Sequence, residues 1–330
     1  MLVVGANGVG KTNLLEAVHV AAQGFSPRTR TDSQVVRFGA EGARTAVAGR
    51  RGDVALELEV TVRRGEGKRA RLNGAPLRAA EQLRTMVSTL VFTPDRLGVV
   101  KGPPVARRAY FDRVLGRFAP AKAPLPAEYG AAVAQRNAAL RRAASSLSSR
   151  AAIEPWSERV AALGAELVAA RLETLALLEL PFAARADELG LGEVSLRYDG
   201  EPLTVEVLAG TLDRDLERGA TSLGPHLDDI SIAAGGRDLR SYGSQGEQRL
   251  TLLALLLGEA ETIGDHTGVP PLLLLDDVLS ELDPERRRIL AARVRSAGQA
   301  LVTATDAAML PAAPDQLLEV TPGTVLDTAA

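Results

Sequence analysis

The chain has 330 residues, 46% of them hydrophobic and 24% charged, and a formal net charge of −2. That composition excludes wholesale disorder and gives no global basic field to announce a nucleic-acid partner, while the length suits one elaborated domain or two lobes. The absence of cysteine excludes disulfides, thiolate metal sites and thiol nucleophiles, no apolar run reaches the roughly 18 residues that span a bilayer, and the first residues do not read as a cleavable leader, so a cytoplasmic location is expected by elimination.

The chain opens MLVVGANGVGKTNLLEA. Leu2–Val4 is the one run ahead of the loop that can form a strand, and Gly5-Ala6-Asn7-Gly8-Val9-Gly10-Lys11-Thr12 matches G-x-x-x-x-G-K-[ST] in full. From Asn13 onward, Leu14, Leu15, Val18 and Ala22 recur at helical spacing. Strand, glycine-rich turn and helix form the setting that a phosphate loop requires. Glycines let backbone N–H groups turn inward around phosphate oxygens, and the helix directs its positive end there. Lys11 adds a point charge for the β- and γ-phosphates, and the Thr12 hydroxyl is placed to ligate Mg2+. Lys11 is one of four lysines in a chain whose positive charge is nearly all arginine.

Residues 54–62 alternate apolar and charged as a half-exposed strand does, 69–77 read as a turn around Asn73-Gly74, and 87–92 read as a second strand. From about Ala106 the character changes to a helical insertion of about 80 residues: a short helix, a run over 128–147, and a run over 155–180 with leucines at three- and four-residue steps. Strand character returns at 194–197 and 204–207. An apolar helix over 248–263, a buried strand over 271–275, a helix through Val294 and a last strand near 300–305 complete the order. Alternating helices and apolar strands predict an α/β protein with a mainly parallel sheet.

Two further motifs carry chemistry. PLLLLDDVLSELD ends an apolar strand in Asp276 and Asp277, delivering two carboxylates to a sheet edge where nucleotides bind. Asp276 suits a metal; Asp277, pointing elsewhere, suits orientation or deprotonation of the attacking water. The second motif is Tyr242-Gly243-Ser244-Gln245-Gly246-Glu247-Gln248-Arg249 ahead of the long helix, where Ser244 can cap and Gly246 leaves N–H groups open to an anion. His19 and His266 read as ordinary helix or surface residues. His226, near Asp228 and Asp229, is too sparse a set for a metal site.

The order of phosphate loop, long interval, Ser-x-Gly-x-Gln helix start and acid pair resembles the ATP-binding-cassette ATPases. In detail the chain resembles the RecF family, related to the Rad50 and SMC heads, through GANGVGKTNLLEA, residues 92–112, AQRNAALR, Trp156 with LGAELVAAR, ATSLGPHLDDISI, YGSQGEQR and LLLLDDVLSELDPERR. The resemblance implies an ABC-ATPase head, a P-loop NTPase with a mainly parallel sheet flanked by helices, plus a helical second lobe. Residues 1–105 and 256–330 would form the ATPase lobe and 106–255 the helical lobe ending in the signature. It also implies about thirty further N-terminal residues, whose strands would cover sheet edges, and an arginine where this chain has Leu227.

For function, the resemblance implies an ATP-switched DNA clamp: two copies closing on two ATP molecules with Mg2+ near single-strand/double-strand junctions and gaps. The clamp would work with RecO and RecR to help load RecA, with slow hydrolysis serving release. Gly5 to Asn13 would bind ATP, Thr12 and Asp276 the Mg2+, and Asp277 and Lys11 would act in catalysis with Ser244 of the second copy. Ser244, Gln245, Gly246 and Gln248 would be the signature, Ser280 and Asp283 the D-loop, and Thr303 or Thr305 the γ-phosphate sensor. Candidate DNA contacts are Arg63, Arg64, Lys68, Arg69, Arg71, Arg107, Arg108, Arg141 and Arg142, by backbone and shape rather than stacking, since aromatics are 3% of residues. Three rivals stay open. A transporter motor would need a switch histidine after the acid pair, an SMC or Rad50 head a long coiled-coil insertion, and a nucleotide-stabilised adaptor would show no turnover.

Overall fold

The computed structural model of the chain describes residues 1–29, 31–296 and 298–328, in two compact units. The first comprises Met1–Arg96 and Ile263–Ala330, the second Leu97–Thr262. In chain order the first unit begins with β1 (Leu2–Val4), α1 (Lys11–Gln23), β2 (Gly42–Arg51), β3 (Val54–Arg63), β4 (Gly67–Leu72), β5 (Ala75–Pro76) and β6 (Thr89–Phe92). The second unit runs through α2 (Gly98–Lys101), α3 (Pro104–Phe118), α4 (Leu125–Ala144), α5 (Glu154–Glu188), β7 (Val194–Asp199), α6 (Val205–Gly210) and α7 (Leu212–Arg218). It continues with β8 (Asp229–Ala234), β9 (Arg237–Asp238), α8 (Leu239–Tyr242) and α9 (Gln245–Thr267), whose residues from Ile263 on belong to the first unit. β10 (Leu272–Leu275), α10 (Pro284–Ser296), β11 (Ala300–Ala304), β12 (Leu317–Thr321) and β13 (Thr324–Thr328) follow.

The strands of the first unit form two sheets. One has the order β13-β12-β1-β11-β10-β6, parallel throughout except for the β12–β13 hairpin. Leu273, Leu274 and Leu275 of β10 are fully buried, as the unbroken apolar run predicts for an inner parallel strand. At about 1.5–3 kcal/mol per buried leucine, this strand helps to anchor the acid pair that follows it. Val3, Leu15, Val91, Leu274, Leu301 and Val320 form one core cluster, so α1 is packed on the sheet directly behind the loop it extends. The second sheet, β2-β3-β4-β5, is antiparallel, and its inner face (Leu58, Val60, Val62, Ala70) joins Val20 and Ala22 of α1 in another cluster.

In the second unit, α3, α4 and α5 share a core built from Leu115, Tyr129, Val133, Val160, Leu163 and Leu167. α5 is one helix of 35 residues that passes through Pro181, about 50 Å at 1.5 Å per residue. β7, β8 and β9 form an antiparallel sheet.

Several expectations change. Residues 204–207 are not a strand: Thr204 Oγ1 accepts from the Val207 N–H and caps α6. A hydroxyl at an N-cap outweighs the β-propensity of the two valines. Asn73, at φ 49°, forms the turn of a β4–β5 hairpin, so 69–72 are strand rather than turn. β2, β9, β12 and β13 carry no clear alternation of apolar and polar residues, and the sequence pattern does not disclose them; β8 does alternate, with Ile230 and Ile232 buried, and is a strand beyond those expected.

Candidate functional site

In the first unit, β1, β6, β10 and β11 run in parallel, so the residues that follow each of them meet at one edge of the sheet. Gly5 leaves β1 at φ 154°, where a Cβ would stand 2.4 Å from the Val320 carbonyl oxygen; no other residue type fits that exit. Gly10 precedes α1 at φ 113°, and no side chain caps the helix or places an acid in its first turn. Its leading N–H groups therefore stay open to an anion. Lys11 is buried, and its Nζ donates to the Gly5 and Ala6 carbonyls at 2.7 and 3.0 Å, so the ammonium already lies over the loop. Ala6, Asn7 and Gly8 are exposed, Val9 is half-buried, and the Asn13 amide oxygen accepts weakly from Arg28 at 3.5 Å.

The acid pair joins this loop. Thr12 Oγ1 lies 2.9 and 3.1 Å from the two Asp276 carboxylate oxygens. Thr303 Oγ1 donates to Asp276 Oδ1 at 2.7 Å and accepts the Asp277 N–H at 2.9 Å. Asp277 has φ 50°, a left-handed conformation that aspartate and asparagine enter more readily than other non-glycine residues, and its Oδ1 is buried with no hydrogen-bond partner among the described residues. Thr305 is exposed, and its hydroxyl turns to Met309 Sδ at 3.3 Å, so of the two threonines only Thr303 reaches the acids. Ser280 Oγ donates to the Asp277 carbonyl at 2.8 Å. Asp283 caps α10, accepting the Glu285 and Arg286 N–H groups at 3.0 and 2.9 Å, and these bonds hold its carboxyl below the usual range.

Thr93 is a candidate that sequence reasoning misses. It follows β6 one register step beyond the Phe92–Leu275 pair, level with Asp276, and its buried hydroxyl has no partner among the described residues. A threonine immediately after the apolar run Leu90–Phe92 is the available signal.

In the second unit, Ser244 and Glu247 bond reciprocally: the Ser244 N–H to Glu247 Oε2 at 2.8 Å, the Glu247 N–H to Ser244 Oγ at 3.2 Å. This is a capping box at the start of α9, and the bonds from Ser244 hold the Glu247 carboxyl low. Ser244, Gln245 and Gly246 are exposed, whereas Gln248 is buried and its amide donates to the Leu239 and Gly243 carbonyls at 3.0 and 3.2 Å. Gln248 thus shapes the turn rather than facing a ligand.

The GPHLDD segment forms a network rather than a metal site. His226 Nδ1 meets Tyr129 Oη at 2.8 Å and its Nε2 meets the Thr221 carbonyl at 3.3 Å. Tyr198 Oη donates to Asp228 at 2.5 Å, and Arg107 bonds Asp229 at 2.6 and 2.8 Å. Leu227 is 54% exposed. Among the described residues no group of three or more His, Asp or Glu is arranged to hold a metal, and no helix is long and apolar enough to cross a membrane.

The arginines expected on DNA divide. Arg63, Arg64, Arg69 and Arg71 are exposed and Lys68 is half-buried, on or beside the β3–β4 hairpin. Arg141 and Arg142 are exposed in the last turn of α4, and Arg108 donates to the Asp228 carbonyl. Arg107 is 2% exposed with its guanidinium committed to Asp229 and the Gly102 carbonyl, so it cannot reach a phosphate and leaves the candidate set.

The family model described as RecF/RecN/SMC N terminal domain matches residues 1–325. The DNA replication and repair protein RecF of Symbiobacterium thermophilum is 36% identical over 321 residues, covering 92% of this chain and 84% of that protein. That of a Synechococcus strain is 37% identical over 354 residues, covering 100% and 92%. Among solved structures, the recombination mediator protein RecF-ATP of the RecFOR pathway is similar at TM-score 0.88 and 26% identity, covering 99% of this chain and 91% of that one. The Smc head domain of Pyrococcus furiosus shares the fold at TM-score 0.58 and 20% identity. A phosphate loop bonded to its acid pair within an ABC-ATPase head, matched along nearly the whole chain by these relatives, leads to one conclusion: the chain belongs to the RecF family.

Proposed function

We propose that the chain is an ATP-switched DNA-binding mediator of recombinational repair and replication restart. The first unit serves as the ATPase lobe and the second as the helical lobe. Two copies close on two ATP molecules, grip DNA at gaps and single-strand/double-strand junctions, and act with RecO and RecR to help load RecA. The observation that carries this reading is the bond from Thr12 to Asp276, which ties phosphate loop to acid pair within a chain of the RecF family. The relatives are DNA replication and repair proteins, and a similar solved structure is a RecF-ATP recombination mediator.

Thr12 and Asp276 offer only oxygen donors, which suits Mg2+, and the scarcity of other carboxylates suits an ion completed by phosphate oxygens and water. When bound, the ion neutralises charge on the β- and γ-phosphates. Gly5 to Asn13 cradle the phosphates and Lys11 turns from its carbonyls to the γ-phosphate. Asp277 takes the proton of a water that attacks the γ-phosphorus, the bond to the bridging oxygen breaks, and ADP leaves. The aspartate is shorter than the glutamate of many cassette ATPases, so turnover is slow, and DNA stimulates it. The exposed turn at Ser244, Gln245 and Gly246 roofs the loop of a second copy, and Ser280 and Asp283 lie in the D-loop beside it.

Mixing Lys11→Ala with Ser244→Arg tests the composite pocket. Each variant alone is inactive, and the mixture regains turnover, stimulated by gapped DNA, because one pocket then pairs an intact loop with an intact signature. An inert mixture, beside a wild-type chain that hydrolyses ATP as a monomer, removes the proposal.

A further inference from the structure

We infer that Thr303 is the positioning residue of the acid pair, a buried hydroxyl that straps the Asp277 main chain in its left-handed turn and leaves the Asp277 carboxylate free for the attacking water. The inference rests on the ATPase reading above and gives Thr303 a role distinct from γ-phosphate sensing. Thr303 lies in β11 with 0% exposure, among Leu301, Val302 and Ala304, where the strand otherwise has no use for a hydroxyl. A buried hydroxyl must find partners, and this one finds two: it gives its single proton to Asp276 Oδ1 at 2.7 Å and accepts the Asp277 N–H at 2.9 Å. With that proton committed to Asp276, none remains for a phosphate oxygen.

The consequence falls on Asp277. Its φ of 50° lies in the left-handed region, which costs any residue but glycine something even though aspartate tolerates it better than most, and the surroundings hold it there. Thr303 holds its N–H and Ser280 Oγ holds its carbonyl at 2.8 Å, so the main chain is tied on both sides while the side-chain Oδ1 stays buried and unpartnered among the described residues. A main chain fixed in this way holds the root of the side chain in place at the moment of reaction, so that only the side-chain torsions remain to be set. The strap also joins the two acids, because one hydroxyl bonds both Asp276 and Asp277.

Thr303→Val keeps the shape, removes both bonds and leaves the Asp277 N–H without its acceptor. In the nucleotide-free chain, amide hydrogen exchange at Asp277 speeds up at least about tenfold in Thr303→Val and returns toward the wild-type rate in Thr303→Ser. With ATP, kcat falls about tenfold or more in Thr303→Val while affinity for a fluorescent ATP analogue stays within about twofold, and Thr303→Ser restores kcat. Unchanged exchange at Asp277 in Thr303→Val overturns the strap, as does loss of analogue binding in step with kcat. Should the wild-type chain show no turnover, the ATPase reading fails by itself, and the amide exchange still decides whether the strap exists.

Discussion

On the β2-β3-β4-β5 sheet, Arg63 and Arg69 share Glu66 at 3.7 and 3.3 Å, with side chains 64% and 75% exposed. Between α4, α5 and α7, Arg136 is fully buried and bonds Asp215 and Thr221 at 2.8 Å and Ser157 at 3.0 Å. The sheet arginines are solvated charges whose ion pairs contribute little, each on the order of 0–1 kcal/mol, and which remain available to another anion. The charge of Arg136 has lost its water, so its surroundings are committed to it: Asp215 also accepts the Ser222 N–H and hydroxyl, fixing the loop that leads to His226. One residue type thus stays a solvated charge in one region and becomes a strut in the other, and burial alone makes the difference.

The sharpest way to break this contrast is Arg136→Ala. It strands the Asp215 carboxylate in a fully buried site, and the expected loss is about 3–5 kcal/mol in chemical denaturation followed by far-UV circular dichroism. A loss under about 1 kcal/mol would place Arg136 with the surface arginines. Arg107→Ala comes next: its partner Asp229 keeps some exposure, so the expected cost is smaller, about 2–3 kcal/mol. Burial pushes the Asp229 carboxyl up, but the bonds from Arg107 outweigh it and hold the group below its usual range. The same variant leaves the salt dependence of DNA binding unchanged, as a strut should.

That contrast also marks how far the sequence can be read. The phosphate loop, the apolar strand into Asp276-Asp277 and the Ser244 helix start are legible because each needs particular residue types at fixed local spacing. Arg107 passes for a DNA contact because it stands beside Arg108 in RRAYFD, and neighbours in a helix look alike until Asp229, 122 residues on, is brought to one of them. Thr303 is named beside Thr305 only through the family resemblance, and its bonds to the acid pair are hidden from the sequence because they depend on the backbone of Asp277, which no pattern in LLLLDD discloses. Residues 204–207 mislead for the opposite reason: a local cap overrides a local propensity.

His226 sharpens the comparison through pH. Burial first, and then Arg108, lower its pKa below the ordinary 6.5, against the Thr221 carbonyl, Asp228 and Asp215, which raise it. The folded chain therefore keeps the ring neutral where the unfolded chain begins to take up a proton. Stability from this group is intact above pH 6.5 and falls as the pH drops below it toward the folded-state value. In thermal melts from about pH 7.5 to about pH 5, His226→Gln should lose less Tm on acidification than the wild-type chain. An equal loss in both would mean that other groups carry the acid sensitivity.

The smallest effect on stability, and the most telling for the sheet, comes from Arg63, Arg64, Arg69 and Arg71. Each alanine substitution should change unfolding free energy by no more than about 0.5 kcal/mol, because the side chains are exposed and two of them share a single glutamate. If this face holds the DNA backbone, the cost appears in binding, where each phosphate no longer neutralised should lower the slope of log K against log salt by about 0.9. Removing all four should then flatten the salt dependence by several units with the fold unchanged. A slope that does not move while affinity holds would make these arginines solvated surface and nothing more, and would shift the search to Arg141 and Arg142 at the end of α4. The two measurements separate what a shared residue type joins: a strut such as Arg136 changes stability and spares the slope, and a docking charge does the reverse.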